Sequence, residues 1–124
     1  MISVLKKRQA LRDRYLLLAR EYVQSLESEL SVTAAAVIGS VARGDFNDAS
    51  DIDVIIIAEN LPTDPLKRSG VLYENVPPLI EPKAYTKDEF RKLLSKRNPI
   101  ALATLSEGVV LIDKGKWLER AGCV

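Results

Sequence analysis

The chain predicts an α/β (α+β) fold: a small mixed β-sheet flanked by helices, with a long helix at its N-terminus. Three observations carry that expectation. Apolar residues recur at steps of three and four through residues 3–29, which is a helical period. Two short apolar runs, Ala34–Ile38 and Val54–Ala58, have the length and composition of buried strands. Between and beyond them, Pro, Gly and capping residues mark helix starts and stops at spacings that alternate helices with strands.

The first element is a helix over residues 3–29, with Leu11, Tyr15, Leu18, Tyr22 and Leu26 on one stripe and no Gly or Pro inside it. That stripe is expected to pack on the sheet, and a helix this long can offer part of it to a partner. Ala34–Ile38 is a buried strand stopped by Gly39. A helical turn at Ser40–Gly44 and a polar loop at Asp45–Ser50 follow. Residues 51–57 make the best strand of the chain, β-branched almost throughout. Thr63 or Asp64 ahead of Pro65 opens a helix that runs to about Glu74.

Residues 79–85 are a further strand, in which Pro82 points to a sheet edge or a bulge. Thr86 and Glu89 have capping-box spacing, so a helix runs from there to about Lys96. Asn98-Pro99 starts a short helix ending before Gly108; Val109–Ile112 is the last strand. A Lys114-Gly115 turn leads to a short helix carrying Trp117, which, like Tyr15 and Tyr22, is expected to pack. No repeat, low-complexity stretch or linker divides the chain. One domain is expected over 1–124, with the N-terminal helix at 1–30, a strand–turn–strand core at 34–85 and the C-terminal helices and strand at 86–124.

Composition narrows the chemistry. At 124 residues, 47% hydrophobic and 28% charged, the chain can bury a core without staples. Its 18 basic and 17 acidic residues leave a net charge of +1, which gives no general drive toward nucleic acid or an anionic membrane. A local cluster such as Lys6-Lys7-Arg8 is still available to nucleic acid. No apolar run approaches a bilayer span, and the N-terminus does not read as a secretory signal. The lone cysteine, Cys123, makes no disulfide within the chain, so a reduced, cytoplasmic setting is expected. With no histidine and one cysteine, His-based triads and the usual zinc sites are excluded. Carboxylates, hydroxyls, lysines and a hard metal remain.

Two groups of residues fit that remainder. Gly39-Ser40 follows a buried strand, and a glycine there lets backbone approach a bulky anion while a starting helix offers N–H groups to phosphate. Asp51 and Asp53 lie two apart on a predicted strand, on one face and about 7 Å apart at Cα. Two carboxylates so placed repel each other, and a hard cation such as Mg²⁺ is the natural compensation. Each signal alone is more often the mark of a turn or a solvated strand end. Together they set a phosphate cradle beside a metal site.

The run Val37-Ile38-Gly39-Ser40-Val41-Ala42-Arg43-Gly44-Asp45-Phe46-Asn47-Asp48-Ala49-Ser50-Asp51-Ile52-Asp53-Val54-Ile55-Ile56 closely resembles the minimal nucleotidyltransferase (MNT) family. That family belongs to the DNA polymerase β-like superfamily, whose motif is G-S, a loop, then D-x-D. The resemblance is specific over residues 34–58 and looser over about 70–95. It implies a nucleotidyltransferase fold, a triphosphate held by Gly39 and Ser40, and metals held by Asp51 and Asp53. A third carboxylate on a later strand completes the family's metal site and can help deprotonate the acceptor. The matching strand here carries only Glu81, where the family has Asp. Asp88 and Glu89 are its rivals, although capping accounts for them. Arg43 either reaches a phosphate or pairs with Asp45 or Asp48. Lys83, on the same face as Glu81, can neutralise phosphate charge.

The activity implied is transfer of a nucleoside monophosphate, AMP above all, from an NTP to a hydroxyl, with Mg²⁺ or Mn²⁺ as cofactor. Larger members of the superfamily carry a helical domain that contacts the acceptor, so a partner, a second subunit or a macromolecular substrate is expected to complete the pocket here. Stand-alone domains of this kind resemble the antitoxin halves of two-component HEPN/MNT systems. There the transferase adds AMP to a tyrosine hydroxyl of a helical HEPN-type protein. The competing expectation is a non-catalytic interaction protein, which neutralises a helical partner by binding and keeps a vestigial metal site.

Overall fold

The structure, a computed structural model, describes residues 2–47 and 50–122. The expectations placed on Cys123 and on Asp48 as a partner for Arg43 lie outside the described residues. Helix α1 spans Ile2–Leu26, strand β1 Ser31–Ile38, and the single-turn helix α2 Gly39–Arg43. Strand β2 (Ile52–Glu59), helix α3 (Pro65–Tyr73), strand β3 (Ile80–Tyr85) and helices α4 (Lys87–Ser95) and α5 (Pro99–Ser106) follow. Strand β4 (Val109–Asp113), a 3₁₀ turn at Lys114–Lys116 and helix α6 (Trp117–Ala121) close the order. Among the described residues no helix is long and apolar enough to cross a membrane.

The sheet runs β3-β2-β1-β4. Strand β1 pairs antiparallel with β2 and with β4, whereas β2 and β3 are parallel. A parallel neighbour needs a crossover, and α3 supplies it. The sheet is therefore mixed, as expected. Pro82 sits on an edge strand, where a missing ladder donor is tolerated, and the β2–β3 register passes it without a bulge.

Strand alternation divides the core in two. On one face Val32, Ala35, Val37, Ile52, Val54 and Ile56 meet Tyr15, Ala19, Tyr22, Val23 and Leu26 of α1, with Leu72 of α3. On the other, Ala34, Ala36, Ile38, Ile55 and Ile57 meet Phe90, Ala101 and Leu118 from α4, α5 and α6. Tyr15 and Tyr22 are packing residues, and the buried Tyr22 hydroxyl donates to Leu72 O at 2.6 Å. Burial raises its pKa well above the ordinary phenol. Trp117 stacks edge-on against Phe90 with centroids 6.0 Å apart.

Local signals set the starts of α3, α4 and α5. Asp64 accepts from Leu66 N ahead of Pro65, Thr86 and Glu89 form a reciprocal capping box, and Asn98 Oδ1 accepts from Ile100 N and Ala101 N. Two boundaries differ from expectation. Helix α1 stops at Leu26, not at residue 29, and Asn60, just beyond β2, braces the turn that leads into β1: its Oδ1 accepts from Ser31 N (2.8 Å) and its Nδ2 donates to Glu29 O (3.0 Å). Strand β2 begins at Ile52, so Asp51 stands just ahead of the ladder and not inside it.

Candidate active site

Strand β1 ends with Ile38 paired to Asp53 of β2. The next residue, Gly39, has φ +78°, and a Cβ built on it would lie 2.5 Å from Asp53 Oδ2. Glycine is needed there twice, for its backbone angle and for the carboxylate standing over it. The chain then makes one turn of helix, α2, with Val41 and Ala42 buried and Ser40 half-buried at its start. Gly44, at φ +86°, ends the turn and donates its N–H to Ser40 O at 2.9 Å.

Helix α1 fastens this turn from outside. Arg12 Nε and Nη2 donate to Val41 O (2.9 Å) and Ala42 O (2.8 Å). Arg8 Nε donates to Gly44 O at 3.3 Å and its Nη2 to Phe46 O, and its guanidinium lies 5.0 Å over the Phe46 ring. Carbonyls at a helix end have no partner within the helix, and cationic donors satisfy them best. One member of the basic cluster Lys6-Lys7-Arg8 is thus occupied as a strut. No local signal announces this use of Arg8 and Arg12, since their partners lie 29 to 38 residues away.

Asp53 and Glu81 are register partners on the parallel strands β2 and β3, so their side chains leave the same face about 4.8 Å apart at the backbone. The Asp53 carboxyl is held above its ordinary pKa of 3.8, chiefly by burial. Lys83 acts against that rise, Asp51 and Glu81 add to it by like-charge repulsion, and Arg43 partly offsets it. The fields of all these groups meet at one carboxylate. Oxygen donors alone, mutually repelling beside a glycine floor, suit a hard divalent cation such as Mg²⁺.

The three acids Asp51, Asp53 and Glu81 do not, however, form a ready cage: among the described residues no group of three or more acidic or other metal-ligating side chains is gathered for an ion. Asp51 is exposed ahead of the strand, and Glu81 Oε1 instead accepts from the Tyr73 hydroxyl at 3.1 Å. The Tyr73 contact is a site feature that sequence reasoning missed, because it depends on where α3 ends beside β3.

The remaining candidates sort clearly. Arg43 pairs with Asp45 (3.2 Å) and with Glu107 (3.3 Å), so it pins the loop to the end of α5 while its charge is still felt at Asp53. Glu89 is fully engaged: it caps α4 with Thr86 and forms a two-pronged pair with Arg68, at 2.8 and 3.3 Å. That pairing lowers its pKa. Asp88 pairs with Arg91 at 3.1 Å on the outer surface of α4. Neither rival shares a strand register with Asp53. Lys83, two residues along β3 from Glu81, is exposed.

The chain belongs to the nucleotidyltransferase domain family, whose signature it matches over residues 19–110. That span begins inside α1, ends in β4 and includes Gly39, Ser40, Asp51, Asp53 and Glu81. The fold agrees. A crystal structure of a Sulfolobus solfataricus protein assigned as a nucleotidyltransferase superposes with a TM-score of 0.66 and 21% sequence identity. The match covers 88% of this chain and 89% of that one, a likeness of fold. Among curated proteins none matches.

Proposed function

We propose that this chain binds a nucleoside triphosphate, ATP above all, together with Mg²⁺ or Mn²⁺ and transfers its nucleoside monophosphate to a hydroxyl. The observation that carries the reading is the carboxylate of Asp53, partly buried, set in register with Glu81 and standing over Gly39. Family membership supports the NTP. In this reading Gly39 and Ser40 take the triphosphate and Asp51, Asp53 and Glu81 hold the metal. Arg43 and Lys83 offset phosphate charge. The bound cation supplies charge neutralisation at the phosphate oxygens. The acceptor oxygen bonds to the α-phosphorus, the bond to the β-phosphate breaks, and pyrophosphate leaves. Glu81 receives the acceptor's proton.

The acceptor is a hydroxyl on a helical HEPN-type partner, with this chain as the antitoxin half of a reduced, cytoplasmic pair. A helical partner incubated with labelled ATP, Mg²⁺ and this protein should become labelled, and Asp53→Ala should abolish the label. ATP with Mn²⁺ that neither raises the melting temperature nor binds by calorimetry would remove the nucleotide reading. The non-catalytic reading is favoured by one observation, the engagement of Glu81 by Tyr73. Neutralisation of the partner in cells by Asp53→Ala, with no label transferred, would establish it instead.

A further inference from the structure

The Tyr73 contact goes further, on the footing of that proposed function. In such a transfer the acceptor hydroxyl must sit within hydrogen-bond reach of the carboxylate that takes its proton. Tyr73 already has that relation to Glu81: Oη donates to Oε1 at 3.1 Å, and Glu81 is the register partner of Asp53. The two side chains also line one open cavity of about 480 Å³, with Arg68, Ser69 and Lys83 among its walls. Tyr73 is 44% exposed and belongs to neither core cluster. Among the described residues, no other tyrosine donates to Glu81. Tyr15 and Tyr22 are buried against α1's face of the sheet, and Tyr85, which lines the same cavity, packs toward Phe90.

We propose that Tyr73 is a self-modification site, a tyrosine whose hydroxyl accepts the nucleoside monophosphate within the same chain. Tyr73 Oη bonds to the α-phosphorus of the bound NTP while the bond from that phosphorus to the β-phosphate oxygen breaks. Pyrophosphate carries away the electron pair, and the phenolic proton passes to Glu81. Glu81 Oε1, which already accepts from Tyr73 Oη, is placed to take that proton. Once esterified, Tyr73 can no longer donate to Glu81.

Intact-mass measurement of the full chain after incubation with ATP and Mg²⁺ tests this. One added monophosphate per chain is expected, mapped by peptide fragmentation to Tyr73. Tyr73→Phe should reduce the adduct to background while keeping calorimetric binding of ATP with Mn²⁺, which shows that the variant is folded and the nucleotide site intact. Glu81→Gln should slow adduct formation. Nucleotide binding without any adduct, or an adduct on another residue, would overturn the self-modification and leave the proposed transferase standing. Absence of nucleotide binding by the wild-type chain would overturn both.

Discussion

The two faces of the sheet are built from the same strands and do different work. Along β2, Ile52, Val54 and Ile56 face α1 and are all buried, and nothing charged interrupts them. One residue out of phase, Asp53 opens the other face, followed by Ile55 and Ile57 against Phe90. Strand β3 repeats the arrangement, with Ile80 and Ala84 on the α1 face and Glu81 and Lys83 on the other. The first face is committed to burial along its whole length. The second gives up burial at its mouth, where Asp53 and its register partner Glu81 oppose each other's charge. A strand with a period of two lets one segment serve both ends without compromise to either.

Substitutions on the two faces should separate stability from activity. Ile56→Ala, on the uniform face, should cost about 2–5 kcal/mol by denaturant titration, because it removes buried methyl groups and leaves a cavity. Any transfer activity should survive in the folded fraction. Asp53→Ala should do the reverse. Nucleotide-dependent transfer should fall at least about 100-fold, beyond the loss typical of a group that only supports a metal ligand. Its melting temperature should hold or rise, since repulsion from Asp51 and Glu81 is relieved. A destabilised Asp53→Ala with unchanged activity would erase the distinction.

Gly39→Ala lies on the seam between the faces. Its left-handed backbone angle and the 2.5 Å approach of a Cβ to Asp53 Oδ2 predict a loss of more than about 1 kcal/mol. A weaker affinity for ATP with Mn²⁺ should accompany it, measured by calorimetry. A smaller effect belongs to Arg68–Glu89, beyond the mouth of the second face. Arg68 holds the Glu89 pKa below its ordinary 4.5, so the folded form favours the carboxylate. The stability this contributes is complete above that ordinary value and is lost as pH falls through the lowered one. Acid unfolding of Arg68→Met should show a shallower fall across that window than the wild type. Least affected should be Asp88→Asn, whose exposed pair with Arg91 is worth under about 1 kcal/mol.

Much of the fold is legible because its signals are local. The α1 stripe, the proline-started helices and the Thr86–Glu89 capping box each lie within a few residues of what they determine. The site is legible only in part. Gly39, Asp51 and Asp53 stand in one short run, and Glu81 follows from the strand that matches by resemblance. Arg8, Arg12 and Tyr73 carry no such mark. Asn60 is the same kind of case, a polar residue just beyond a strand that braces a turn in another part of the chain.

What the sequence by itself determined is which residue types stand at which period: a helical stripe, two apolar strands, and an aspartate on either side of Ile52. The reason is that periodicity and capping act over single turns and single strands. Only the tertiary structure decided that β3 runs parallel beside β2 with Glu81 opposite Asp53, and that Tyr73 donates to that glutamate. It likewise decided that α1 holds the glycine turn by two arginines. Those relations join residues far apart in the chain. They exist only once burial of the sheet's two faces has brought α1, α3 and β3 around β2.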